Sequence, residues 1–143
     1  MMEFRFTLIG EIVPQARPRI STRSGLTKAY DSEKSRDFKE YVSHRAYQSI
    51  GGHEPVSGPL VVSICVYRRV PSTWSKRKAA RALDNMIFPT GRPDVDNLAK
   101  GIMDGMTGVV WNDDAQVVRL IVEKRYDNQD WASVRVLSIQ EDR

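Results

Sequence analysis

A chain of 143 residues hides roughly two-thirds of its unfolded surface on folding, so a single domain with one core is expected. Its 22 Lys and Arg against 18 Asp and Glu leave a formal charge of +4 and a pI near 9.4, an excess whose meaning depends on where it is placed. The one cysteine, Cys65, excludes an intrachain disulfide framework and a Cys-based metal site. No apolar run approaches bilayer-spanning length, and the first residues alternate polar with apolar, so a soluble, cytoplasmic protein is expected.

From Glu3 to Val13 the side chains alternate, with Phe4, Phe6 and Leu8 on one face and Glu3, Arg5 and Thr7 on the other. That period of two predicts a half-buried strand. Pro14 and Pro18 end it, and the polar stretch to Lys28 carries Arg17, Arg19, Arg23 and Lys28, which predicts a basic loop. Asp31-Ser32 offers an N-cap, and Phe38, Tyr41, Val42, Ala46 and Ile50 recur at helical spacing until Gly51-Gly52. A helix over about Ser32 to Ile50 follows. Leu60 to Tyr67 is rich in β-branched residues, so a second strand runs out into Arg68-Arg69.

The run from Trp74 to Leu83 combines a serine cap candidate, good helix formers and the cations Lys76, Arg77 and Lys78, and predicts a short helix. Charged helix faces usually just meet water. Here, however, the only acid from Arg68 to Arg92 is Asp84, an imbalance suited to neutralising phosphates. Arg17, Arg19, Arg68, Arg69, Lys76, Arg77, Lys78 and Arg92 are therefore the candidate nucleic-acid contacts. Pro89, Gly91 and Pro93 mark a loop, after which Val95, Leu98, Ile102, Met103 and Met106 outline the apolar face of a helix ending near Gly108. Val117 to Tyr126 alternates, residues 127–130 supply turn formers, and Trp131 to Ile139 is β-rich, so a hairpin of two strands is expected. About four strands and three helices in mixed order predict an α+β fold, a mainly antiparallel sheet with helices packed on it.

Four carboxylates and a lysine fall within one short part of this basic chain: Asp94, Asp96, Lys100, Asp113 and Asp114. Pro93 pushes Arg92 toward an extended conformation and Asp94 is an N-cap candidate, so Asp94 and Asp96 straddle a helix start. From Asp96 the polar side continues as Asn97, Lys100 and Asp104. Taken alone, these groups read as a cap, an acid favoured by the helix dipole, and surface ion pairs. The pair Asp113-Asp114 shifts the weight, because a strand folded beside the helix could bring one of those carboxylates to the Asp94/Asp96 corner. Three carboxylates in contact repel one another unless a cation holds them. Oxygen-only donors fit Mg²⁺ or Mn²⁺ and argue against zinc, and the only histidines, His44 and His53, fall elsewhere. A carboxylate-held ion beside a lysine points to phosphodiester hydrolysis, although Asp-x-Asp alone also serves nucleotidyl and glycosyl transferases.

The run Asp94-Val95-Asp96-Asn97-Leu98-x-Lys100, then Asp104, then Trp111-x-Asp113-Asp114-Ala115-Gln116-Val117-Val118 closely resembles the RusA family of Holliday-junction resolvases, often encoded by prophages. Pro14-x-x-Arg17-Pro18-Arg19 and the Trp74-Ser75-Lys76 helix resemble the N-terminal part of many members. The resemblance implies Asp94, Asp96 and Asp114 as Mg²⁺-binding catalytic carboxylates and Lys100 as the catalytic lysine, with Asn97 and Asp113 as supporting candidates. It implies a homodimer that makes paired symmetric nicks in four-way DNA junctions, matching two-fold symmetry to two-fold symmetry. Only Arg92 stands before the first aspartate, where some members carry a run of arginines, so Arg68, Arg69, Lys76, Arg77 and Lys78 are expected to take over those contacts. The alternative is a non-catalytic DNA-binding module whose acids are structural caps.

Overall fold

The alternation that begins at Glu3 forms a strand, β1 (Glu3–Ile9), that ends where Gly10 turns the chain with φ 99°. The computed structural model describes residues 2–15, 19–21, 28–30 and 33–142. The remaining elements are two short strands, β2 (Arg19–Ser21) and β3 (Lys28–Tyr30), the helix α1 (Glu33–Ile50), the strand β4 (Leu60–Arg69), the helices α2 (Lys76–Leu83) and α3 (Val95–Met106), and the strands β5 (Val117–Asp127) and β6 (Trp131–Ser138). β2 and β3 pair with each other, while the main sheet has the order β1-β6-β4-β5. Arg17, Arg23 and the Asp31-Ser32 cap candidate lie outside the described residues; Arg19 and Lys28 fall in β2 and β3.

The α+β expectation holds, with three helices and a mixed, mostly antiparallel sheet. The hairpin expectation does not. β4 lies between β5 and β6, pairing parallel with the first and antiparallel with the second. Turn residues at 127–130 signal a reversal but not its width: two strand spacings, about 10 Å, are within reach of a few extended residues. The connection wraps round the end of β4, where the Val70 amide donates to the Asp127 carbonyl (3.0 Å) and the Arg69 amide to Asp130 Oδ1 (2.8 Å). Burial explains the choice. β4 buries Leu60, Val62, Ile64 and Val66, whereas β5 exposes Val118 and Leu120, so the more apolar strand takes the centre.

One face of the sheet carries the core. Phe4, Val136 and Val62 form one row across it, Phe6, Val134 and Ile64 the next, and Leu8, Ala132 and Val66 a third. Phe38, Val42, Ala46 and Ile50 of α1 and Leu98, Ile102 and Met106 of α3 close over these rows. On the opposite face Tyr67 stacks on Trp131 at 4.3 Å, and its hydroxyl pKa is pushed up to about 12, first by its hydrogen bond with Cys65 and then by burial. The outer edge of β1 is partly closed by α1: the Ile9 amide donates to Tyr41 Oη (2.9 Å) and Arg45 Nε to the Thr7 carbonyl (3.0 Å), which protects that edge.

α3 approaches its neighbours more closely than its apolar stripe predicts, and two glycines permit it. A Cβ on Gly101 would stand 2.6 Å from the Val13 carbonyl oxygen, and one on Gly105 2.6 Å from Val42 Cβ and 2.9 Å from the Lys39 carbonyl oxygen. The contacts are tied by hydrogen bonds from the Gln15 amide to the Asn97 carbonyl (3.1 Å) and from Ser43 Oγ to the Gly105 carbonyl (2.5 Å). Val95, expected on the apolar face, is instead 41% exposed. It occupies the first position of the helix, beyond the reach of the core.

Candidate active site between α3 and the edge strand

The start of α3 is built from its neighbours. In the loop before it, Lys124 Nζ of β5 donates to the carbonyls of Gly91 (2.9 Å) and Pro93 (3.0 Å), and Arg68 of β4 donates to the carbonyl of Arg92 (2.7 Å). The Arg92–Pro93 peptide is cis. Asp94 stands at the N-cap, as its position after Pro93 predicts, with extended backbone (φ −72°, ψ 155°), yet its side chain makes no capping hydrogen bond. An aspartate at this place normally accepts from the second or third amide of the helix. Here the carboxylate is exposed and spends no oxygen on the cap.

Leu120 of β5 is left exposed beside α3, where a cleft of about 500 Å³ opens. Leu120 and Val122 form an apolar floor, and Val95, Ala99 and Met103 an apolar wall. Asp96, Lys100, Asp104 and Asp114 supply the polar rim. Lys100 Nζ lies 3.6 Å from Asp104 Oδ1, one turn along the helix, and Lys39 Nζ of α1 lies 3.9 Å from Asp104 Oδ2. With its side chain 61% exposed, Lys100 gains little stability from this pair; what the pair sets is where the ammonium sits. Asn97 contributes its backbone carbonyl to the Gln15 amide, which anchors the helix.

The second acidic pair divides into two roles. Asp113 caps the single 3₁₀ turn Asp114–Gln116: its carboxylate accepts from the Ala115 amide (2.8 Å), while Gln116 Oε1 accepts from the Asp113 amide (3.1 Å). This is a reciprocal capping box. Gln116 Nε2 then ties the turn to the carbonyls of Val56 (2.8 Å) and Gly58 (3.0 Å). Asp114 points to the cleft, its Oδ1 accepting from Thr107 Oγ1 (2.5 Å) and from Nε1 of the fully buried Trp111 (2.8 Å). A core tryptophan and the C-cap residue of α3 thus hold this carboxylate.

Asp96 and Asp114 line one cleft from opposite ends of α3. Asp96 is in the first turn of the twelve-residue α3 and Thr107, which holds Asp114, is its C-cap. A rise of 1.5 Å per residue puts those ends about 16 Å apart. Ligands of one Mg²⁺ lie about 2.0–2.1 Å from the ion, and among the described residues no group of three or more His, Cys, Asp or Glu is placed to hold one. Asp96 and the anchored Asp114 line this cleft, and Asp94 stands just before it at the N-cap of α3.

Around this cleft the cations take different places. Ser75 caps α2, accepting from the Lys78 amide (3.2 Å). Lys78 Nζ lies over the Trp74 ring at 3.9 Å, and Trp74 meets Tyr126 of β5 edge-on at 5.2 Å, a cation–π stack that orients the helix. Lys76, Arg77, Arg69 and Arg92 are exposed, whereas Arg68 is engaged with the loop carbonyl. The sequence alone assigns no role to Lys124 or Thr107, and none to Trp111 or Gln116 beyond their place in the motif. The Asp113-x-x-Gln116 spacing of a capping box was a readable signal for the last; a lysine on a strand facing a loop thirty-odd residues away carries no local signal.

The site is thus a cleft of carboxylates and a lysine open to solvent on an α+β sheet, with a cation-rich helix packed on the same edge strand. The model of the family "Endodeoxyribonuclease RusA" matches residues 10–137, and this chain belongs to that family of endonucleases, the Holliday-junction resolvases. It is also similar to the "Uncharacterized protein YqaN" of Bacillus subtilis (strain 168), 38% identical over 140 residues that cover 94% of this chain and 96% of that one. Among the described residues no helix is long and apolar enough to cross a membrane.

Proposed function

We propose that this protein is a cytoplasmic, Mg²⁺-dependent resolvase that acts as a homodimer and cuts four-way DNA junctions by paired symmetric nicks in recombination and repair. The observation that carries the reading is the cleft itself, where Asp96, Lys100, Asp104 and Asp114 open to solvent together. Its donor set is oxygen-only, which suits a hard divalent cation. Asp94, Asp96 and Asp114 would hold it, Asp94 because it spends no oxygen on capping and Asp114 through Oδ2, since Oδ1 is engaged by Thr107 and Trp111. When bound, such an ion lowers the pKa of water and neutralises charge on a phosphate. Among the described residues these carboxylates are not already gathered round one point, so binding the ion would have to draw them together, and a homodimer would present two such sites to opposed strands.

The chain's own groups do the rest. Lys100, positioned by Asp104, brings an ammonium to the cleft mouth, where it stabilises negative charge that grows on the phosphate as the bond breaks. Lys76, Arg77 and Arg92 neutralise flanking phosphates. The Lys124 and Arg68 hydrogen bonds fix the loop that presents Asp94. The opposing view, that the acids are structural caps, fits Asp113 but not Asp94, which occupies a cap position without capping. The test is an assay on a synthetic four-way junction. With Mg²⁺ the protein gives nicks at matching positions on opposed strands, and Asp96→Asn does not; absence of nicks from the wild-type protein would sink the reading.

A further inference from the structure

Between α2 and the loop before Asp94 the chain makes a stiff projection that the chemistry above leaves unused. α2 ends with the Met86 amide donating to the Arg81 carbonyl (2.9 Å) and the Asn85 amide to the Ala82 carbonyl (3.1 Å), with Asn85 at φ 59°. These are the paired bonds and left-handed residue of a Schellman cap. In that motif the residue after the left-handed position usually packs back on an apolar residue of the helix's last turn. Here that partner position is Arg81, and Met86 is 65% exposed. Two residues on, Phe88 is 50% exposed, while Pro89 behind it is buried. At its far end the projection joins residues 91–93, whose carbonyls are held by Lys124 and Arg68. A capped helix on one side and a pinned loop on the other therefore hold two large apolar side chains out in water, a few residues before the active-site corner.

The surroundings say what these side chains meet. Lys76, Arg77 and Arg81 on α2 and Arg92 beyond the tip are exposed cations, and Asp84 is the only acid between Arg68 and Arg92. An apolar protein surface docking there would have to strip water from these like charges; a nucleic acid instead supplies phosphates for the cations and base faces for the tip. We propose that Met86 and Phe88 form a wedge that enters the branch point of the DNA junction and unstacks bases there, while the flanking cations grip the arms. Apolar side chains inserted between base steps unstack and kink duplexes in other DNA-bending proteins, and the cost is least where stacking is already interrupted, as at a four-way centre. The wedge would give preference for branched over linear DNA and set the scissile strand against the cleft. This inference rests on the resolvase reading.

The experiment uses the full-length protein and a four-way junction carrying 2-aminopurine at the branch point, in EDTA so that no strand is cut. Binding of the wild-type protein is expected to raise the 2-aminopurine fluorescence. The Met86→Ala/Phe88→Ala variant is expected to bind within about threefold of wild type, because phosphate contacts dominate affinity, yet to lose most of the rise. With Mg²⁺ its nicking at saturating junction falls about tenfold or more, and a junction with mismatched, already open centre restores it; Phe88→Leu keeps most of the activity. Both residues are exposed, so the unfolding midpoint should not move. A full fluorescence rise and wild-type nicking in the double variant would overturn the wedge while leaving the resolvase reading intact. Loss of self-association in sedimentation would also overturn it, since the tip would then be a subunit contact. Wild-type protein that neither binds nor nicks the junction would overturn the resolvase reading and the wedge with it.

Discussion

Replacing Gly105 with alanine adds one methyl group to the last turn of the helix that carries Asp96 and Lys100, and two effects oppose each other. In an unpacked helix the change is favourable by about 1 kcal/mol, because alanine has the higher helix propensity. Here the new carbon would stand 2.6 Å from Val42 Cβ, 2.8 Å from its Cγ1 and 2.9 Å from the Lys39 carbonyl oxygen. None of these is the far end of a flexible side chain, so α1 and α3 must separate, and overpacking of this kind costs about 1–3 kcal/mol. Separation also lengthens the Ser43 bond to the Gly105 carbonyl, a loss of about 1 kcal/mol. The balance is a net destabilisation of about 1–3 kcal/mol, which for a chain of this size lowers the melting temperature by roughly 3–10 °C. Thermal and urea unfolding followed by circular dichroism measure it. Because the displaced helix also carries the cleft wall, junction nicking should fall in the protein that remains folded. A Gly105→Ala variant as stable as the parent, or more stable, would refute the close-packing argument and leave ordinary helix propensity in charge.

Three further outcomes follow from single contacts. Lys124→Met removes the donor that binds the Gly91 and Pro93 carbonyls while keeping the apolar stem; we expect a stability loss of about 1 kcal/mol and a fall in kcat with junction affinity nearly unchanged, both read by unfolding and nicking kinetics. Trp111→Phe deletes the Nε1 donor to Asp114 while filling much of the same core space. Its nicking rate should drop more than its stability accounts for, and Thr107→Val, which removes the other donor, should act in the same direction. Replacing Lys76, Arg77 and Lys78 with alanine should weaken junction binding and reduce the slope of log affinity against log salt by about 2 to 3; an unchanged slope in a binding titration would mean that α2 does not touch phosphate.

Much of this was legible because the signals were local. Alternation located β1, helical spacing located α1, and the Ser75 cap and the Pro93-Asp94 corner were both found at the residues that form them. What escaped was non-local. Nothing within residues 127–130 states that β4, from far earlier in the chain, will come between the strands on either side. Gly101 and Gly105 read as weak points of a helix until Val13 and Val42 are seen against them. The anchoring of Asp114 was hidden for the same reason: motif order places it after Trp111, while Thr107 at the far end of α3 and the buried indole are what hold it. Asp113 and Asp114, indistinguishable as neighbouring aspartates, are told apart only by their partners, an amide of the 3₁₀ turn for one and a buried indole for the other.

A supercoiled plasmid that extrudes a cruciform tests the central claim most directly, because it distinguishes paired from single cuts by topology. Two nicks made on opposed strands within one bound complex convert the circle to a linear molecule, whereas a single nick only relaxes it. With Mg²⁺ the wild-type protein should give linear product, none should form in EDTA, and Asp96→Asn should slow its formation by at least about a hundredfold. Relaxed circle alone, or an Asp96→Asn protein that still linearises the plasmid at the parental rate, would contradict the account.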